Sequence, residues 1–152
     1  MNFKQYLLKD IGFHTTNVEN YEEIKQKGLK INQKSFYTKG SNDWLKRAYG
    51  IVPIFLSLSK TSYKEGVQLT INVKGLKKGA DLGSLIDHGA IIDENGFYFE
   101  KKSNVQEKFK EEEYDYEELY DGNLVEEFID LTKTFVIMED IPANRIINVT
   151  WH

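Results

Sequence analysis

The chain has 152 residues, 40% hydrophobic and 13% aromatic, which suits one domain with its own core and is too apolar for disorder. A formal net charge of −4 gives no general attraction for nucleic acid or an anionic membrane, and leaves room only for a local basic cleft. With no cysteine, disulfides and thiolate metal sites are excluded, and nothing supports a secreted, stapled scaffold.

The opening "MNFKQYLLKDIGFH" lacks the continuous apolar run of a signal peptide, and no later segment approaches the ~20 apolar residues of a membrane span. A soluble, cytoplasmic domain without membrane contact is the expectation. "IGFHTT" (11–16) has the β-branched and aromatic content of a strand. Thr16 and Glu19 fit an S/T-x-x-E capping box, in which each side chain satisfies an orphan backbone donor of the other. Tyr21, Ile24 and Leu29 recur at near-helical spacing, predicting a helix over 17–27 with one buried face, and Gly28 is placed to end it in a left-handed conformation.

"SFYTKGSNDWLKRAYG" follows, with Ser41 or Asn42 as a cap for a short helix, and with Lys39, Lys46 and Arg47 making the most basic patch. "IVPIFLSLS" (51–59) reads as a strand in which Pro53 marks an edge or the strand's beginning. "VQLTINV" (67–73) alternates with period two and should bury one face. "AIIDENGFYFE" (90–100) sets Asn95-Gly96 between two apolar runs, a hairpin signal.

From Val105 to Asp121, "VQEKFKEEEYDYEELYD" is dense in acid and tyrosine, and predicts a solvated helix or an excursion around 103–122 from the single domain, 1–152. "NLVEEFIDL" carries apolar residues at 124, 125, 128 and 129, a helical face, and "TFVIMEDIPANRIINVTWH" reads as two strands around a turn at Pro142. No internal repeat or low-complexity linker interrupts the chain. The sum is a strand-rich α+β domain with a helix near each end.

Three constellations bear on chemistry. His14 stands at a strand end before hydroxyl residues and a helix start, where free N–H groups and partial positive charge favour an anionic or ribose-bearing ligand. For a lone histidine, satisfaction by backbone is the commoner reading, and local spacing leaves that reading ahead. Asp81, Asp87, His88 and Asp93 gather acid and imidazole in "ADLGSLIDHGAIID" without the spacing of a metal motif, so no metal is expected there. The run Glu111–Asp121 is a solvated face or, in a sharper reading, a surface that imitates phosphate spacing and grips a basic protein partner.

"FHTTNVENYEEIKQKGLK" resembles the opening motif of the ADP-ribosyltransferase superfamily, Y-H-x-T followed by an amphipathic helix ending in I-x-x-x-G-L. "PIFLSLS" is similar to that family's next core strand, "VQLTINVKGLKKGADL" to its strand running toward an Asp, and "FVIMEDIPANRIINV" to its late strand and I-P-x-x-x-I turn. The likeness touches about two-thirds of the chain, in the family's order.

The resemblance implies a split antiparallel sheet around a central cleft with flanking helices. That cleft binds NAD, the substrate, with nicotinamide inward, and the family transfers ADP-ribose to a protein or nucleic-acid acceptor. By position His14 matches the histidine that hydrogen-bonds the nicotinamide ribose, with Thr15 or Thr16 near the carboxamide or ribose. Ser57, Ser59 and Tyr63 match the second core strand's contribution, and Tyr49 is the reserve aromatic for stacking.

Catalytic members carry a late-strand glutamate that stabilises the developing oxocarbenium charge. The same alignment puts Thr134 at that position, which leaves Glu139 at the following turn and Glu126 and Glu127 on the preceding helix as the acids, with Glu139 and Glu127 nominated. Two readings stay open: an NAD-dependent transferase, and a non-catalytic inhibitor or binding protein, of anti-defence or toxin–antitoxin type, that uses the fold or its acidic surface. The related tRNA 2′-phosphotransferase chemistry relies on several arginines, and this chain has few.

Overall fold

Segments whose apolar residues alternate have one face to bury, and here they assemble into one antiparallel sheet. The computed structural model describes residues 10–33, 43–60, 66–93, 96–110 and 116–151. Its strands are β1 (Ile11–Thr16), β2 (Ile54–Ser57), β3 (Val67–Asn72), β4 (Lys78–Gly79), β7 (Thr134–Ile137) and β8 (Ile146–Trp151), in the order β4-β7-β2-β1-β3-β8. A separate hairpin pairs β5 (Ala90–Asp93) with β6 (Gly96–Phe99). Five α-helices accompany them among the described residues: α1 (Val18–Lys27), α2 (Asp43–Tyr49), α3 (Leu82–Asp87), α4 (Lys102–Lys110) and α5 (Val125–Thr132). None is long and apolar enough to cross a membrane.

Each face of the sheet carries its own core. Leu56, Val67, Leu69, Ile71, Phe135 and Ile137 point one way and are covered by Ile24 of α1 and by Leu29 and Ile141. Val136 points the other way, into a cluster built by Leu45 and Ala48 of α2, Leu82 and Leu85 of α3, Ile91, Val105 and Phe128. The alternation read in β3 is therefore real burial, and the apolar face of α5 lands in both clusters through Phe128 and Ile129.

Between β1 and β2 the ladder nearly fails. They share one paired position, Phe13 with Ser57, whereas β1 pairs with β3 along its whole length, from Ile11–Asn72 to Thr16–Val67. Two three-stranded halves, β4-β7-β2 and β1-β3-β8, are thus joined at a single residue pair.

Several local expectations change. The ladder to β3 extends through Thr16, so α1 starts one residue later and its cap is Asn17, whose side chain accepts from the Asn20 N–H at 2.7 Å; Thr16 and Glu19 form no capping box. Gly28 ends α1 with φ +76°, but ψ −170° makes it an extended positive-φ conformation rather than the left-handed helical one expected. Pro53 stands immediately before β2, the beginning rather than the edge of the two positions expected, since β2 is interior. Asp93 pairs with Gly96, so Gly96 of the expected dipeptide opens β6, while Asn95 lies outside the described residues.

β7 and β8 are not a hairpin. They lie on opposite sides of β1, because the chain bridges Ile141 to Leu29 and then turns through a 3-10 helix, Ala143–Arg145, before reaching β3. The flanks of the acidic run are anchored: Val105 of α4 is fully buried, and so is Leu119, whose carbonyl accepts from Ala80 N at 2.6 Å. The centre of that run, 111–115, lies outside the described residues, as do Lys39, Ser41, Asn42 and Tyr63.

Candidate functional site

The strands that carry His14, Ser57 and Thr134 are neighbours in the order β7-β2-β1. Ladder pairing sets Thr134 beside Ser57, and Ser57 beside Phe13, in one row across the sheet. At the ordinary strand spacing, β7 and β1 lie ~10 Å apart. Beyond β1 the same row continues through Thr70 to Asn148.

His14 occupies the parting between the half-sheets. A continued antiparallel ladder would offer the Phe55 carbonyl to the Thr15 N–H; instead that carbonyl lies 2.9 Å from His14 Nδ1. Since a carbonyl only accepts, Nδ1 carries the proton, and Nε2 of the neutral ring is left as an acceptor. Burial holds the imidazole below the usual histidine range, with the Phe55 bond pulling the other way. The ring is therefore neutral, oriented from one side, and able to accept a hydroxyl proton with its other nitrogen.

That shift has a sign. In the unfolded chain the ring takes a proton at the ordinary pKa of 6.5, while in the fold it does so only at lower pH, so acidification below that value favours unfolding. His14→Asn has no titrating ring, and its amide can still donate to the Phe55 carbonyl. Urea denaturation at pH 7.5 and at pH 5.5 should show wild type losing more stability on acidification than His14→Asn; an equal loss would place the ring's titration outside the folding equilibrium.

The remaining nominated residues divide. Thr15 pairs with Gln68 and shares the face of Phe13 and Ser57 by alternation; His14 and Thr16 alternate to the other side. Ser57 Oγ donates to the Ser59 carbonyl at 2.7 Å, a local turn bond that ties those two serines to each other. Tyr49 is no reserve stacking aromatic. Its hydroxyl donates to Ala80 O at 2.6 Å and accepts from Leu82 N at 2.8 Å, and the ring is buried in the core.

Neither nominated acid reaches the row. Glu139 follows β7 at the end remote from Thr134, where Oε2 accepts from Lys77 N at 2.9 Å and fastens the β3–β4 connection. Glu127 is exposed in the first turn of α5. Among the described residues no three acid or imidazole side chains are grouped to hold a metal ion. Asp87 instead pairs with Lys102 at 2.8 Å, and His88 Nδ1 meets the Ser84 carbonyl at 2.8 Å.

One acid does meet the row. β4 pairs with β7 at Lys78–Ile137 and Gly79–Val136, and two residues further on Asp81 stands beside Thr134, accepting a hydrogen bond from its hydroxyl. Asp81 also caps α3, accepting from Ser84 N at 3.2 Å. Burial, the largest influence, pushes its carboxyl above the usual range, and the bonds from Ser84, Thr134 and Gly83 pull it back. In the sequence, "DLGS" signals the cap, whereas the link to Thr134 depends on a two-residue strand that no periodicity announces.

A shallow, solvent-open groove of roughly 410 Å³ lies elsewhere, lined by Gly75, Leu76, Lys78, Tyr120 and Glu126 among others, and takes in none of the nominated cofactor-binding residues. Compared with known proteins, the chain matches no family model, no curated protein and no solved structure.

Proposed function

We propose that the protein is an ADP-ribosyltransferase-like domain that binds NAD in the parting between β1 and β2 and transfers ADP-ribose to a protein or nucleic-acid acceptor. The observation that carries this reading is the adjacency of β7, β2 and β1, with His14 held neutral in the gap where the ladder stops. A neutral imidazole anchored through Nδ1 offers Nε2 to a ribose hydroxyl, which needs an acceptor.

In the reaction the bond between ribose C1′ and the nicotinamide nitrogen breaks. Its electron pair leaves with the neutral nicotinamide, and positive charge spreads over C1′ and the ring oxygen. The acceptor's lone pair then forms the new bond at C1′ while its proton passes to solvent.

A non-catalytic binding protein is the second reading, favoured by the neutral Thr134 at the expected acid position and by the engagement of Glu139 with Lys77 N. Calorimetry with NAD, followed by incubation with labelled NAD and a cell extract, separates the two. Binding with labelled product or free nicotinamide supports the transferase, and binding without turnover supports the second reading. If NAD does not bind, or if His14→Ala binds it as tightly as wild type, the assigned site is wrong.

A further inference from the structure

We infer that Trp151, at the far end of β8, is the platform on which a bound dinucleotide stacks its adenine ring while its nicotinamide ribose meets His14. The inference rests on the NAD reading above and deepens it by assigning the contact of the second nucleoside. Ladder register puts the two side chains on one face. His14 pairs with Leu69 and Leu69 with Val149; two residues along, Thr16 pairs with Val67 and Val67 with Trp151. Paired residues point the same way, as do residues two apart on one strand, so His14 and Trp151 share a side of the sheet. Packing agrees: Val67 and Leu69 belong to the core face that α1 covers, and Tyr21 of that helix meets Trp151.

Two strand spacings and two residues of rise set the Cα atoms of His14 and Trp151 ~12 Å apart, the scale on which an extended dinucleotide separates its two nucleosides. The indole is steadied but open. Tyr21 meets it edge-to-face, with ring centroids 5.2 Å apart and planes at 86°, and Trp151 still stands 56% exposed. Val18, one turn before Tyr21 on α1 and also exposed, extends the apolar surface beside it. Stacking a base there withdraws that surface from water and needs no charge from the protein, in keeping with a strand that has no acid or base from Ile146 to Trp151. The other exposed apolar side chains do not share this placement: Phe99 belongs to the separate hairpin, and Ile147 falls at the register shift in β8. Trp151 touches no reacting atom, and its part is affinity for the adenosine end.

Fragments of the dinucleotide separate its two ends. Nicotinamide mononucleotide has the ribose for His14 and no adenine, whereas ADP-ribose keeps adenine and lacks nicotinamide. Binding of NAD and of both fragments is measured by calorimetry for wild type, Trp151→Ala and Trp151→Phe, with the melting transition of each. A second measurement leaves the stacking ring in place: with Trp44→Phe, Trp151 is the sole tryptophan, and its fluorescence is followed as each fragment is added.

Trp151→Ala is expected to weaken NAD and ADP-ribose about 5- to 150-fold, the factor for loss of one base–aromatic stack, with nicotinamide mononucleotide unchanged and Trp151→Phe intermediate. ADP-ribose should quench Trp151 fluorescence, and nicotinamide mononucleotide should not. A Trp151→Ala protein that binds NAD as wild type does, or that loses the mononucleotide by the same factor, overturns the inference and leaves the NAD reading standing. So does a wild type in which a second copy closes this surface, seen in sedimentation as a dimer that Trp151→Ala dissociates. A wild type that binds none of the three ligands overturns both.

Discussion

Phe135→Ala is expected to lower unfolding free energy by about 3–5 kcal/mol, the cost of emptying a large buried aromatic site. Phe135 is fully buried on β7, paired with Leu56, and its ring passes beneath β2 to reach β1. A Cβ built on Gly12 would stand 2.7 Å from Phe135 Cζ and 2.7 Å from Leu56 Cδ2. The absent side chain at Gly12 is therefore the space that the ring occupies, directly beneath the one pair joining the half-sheets.

Gly12→Ala should cost about 1–3 kcal/mol by overpacking, and less when Phe135 is also shortened to Leu. Urea denaturation of both single variants and the double variant gives the coupling. Additive losses would mean that the ring and Gly12 do not share that space.

Gly28→Ala should cost about 3 kcal/mol, although it adds only a methyl group. Gly28 has φ +76° and ψ −170°, a region essentially confined to glycine that costs another residue ~1–3 kcal/mol. Its added Cβ would also collide with the backbone oxygen of Ile141. To relieve that collision the bridge between Leu29 and Ile141 must open, giving up bonds of 2.9 and 2.8 Å that contribute ~0.5–1.5 kcal/mol each.

Gly50 provides the contrast. It has φ +77° and nothing within 4 Å of the added carbon, so Gly50→Ala should show only the conformational part, ~1–2 kcal/mol. Thermal or urea unfolding of the pair decides it, and equal losses would remove the collision as a cause. The bridge also seats α1 over the core face of β3 beside His14, so Gly28→Ala is expected to loosen the candidate site as well as the fold.

How much was legible varies with the range of the interaction. β1 reads as a strand over Ile11–Thr16, and α1 reads from Ile24 and Leu29 to its glycine stop, because side-chain periodicity and helix ends are properties of adjacent residues. The cap went to Asn17 rather than Thr16 because pairing with Val67, distant in sequence, claimed Thr16 for the ladder. Tyr49 was readable as an aromatic but not as a core bridge between Ala80 and Leu82, which only the packing of α2 on the β4–α3 connection creates. Likewise β7 and β8, consecutive in the chain, are separated in the sheet by the three strands β2, β1 and β3.

The sequence by itself determined an α+β chain, most of its strands, its principal helices and a first strand that carries His14, although that strand runs on to Thr16 and leaves His14 inside it. All of these depend on alternation, capping and turn chemistry within a few residues. Tertiary structure alone decided that β1 and β2 meet at one pair, that His14 Nδ1 takes the carbonyl freed there, and that Asp81 comes to rest against Thr134. Strand order and the partners of buried polar groups are settled by which apolar faces can be covered together, a condition on the whole chain that no local pattern encodes.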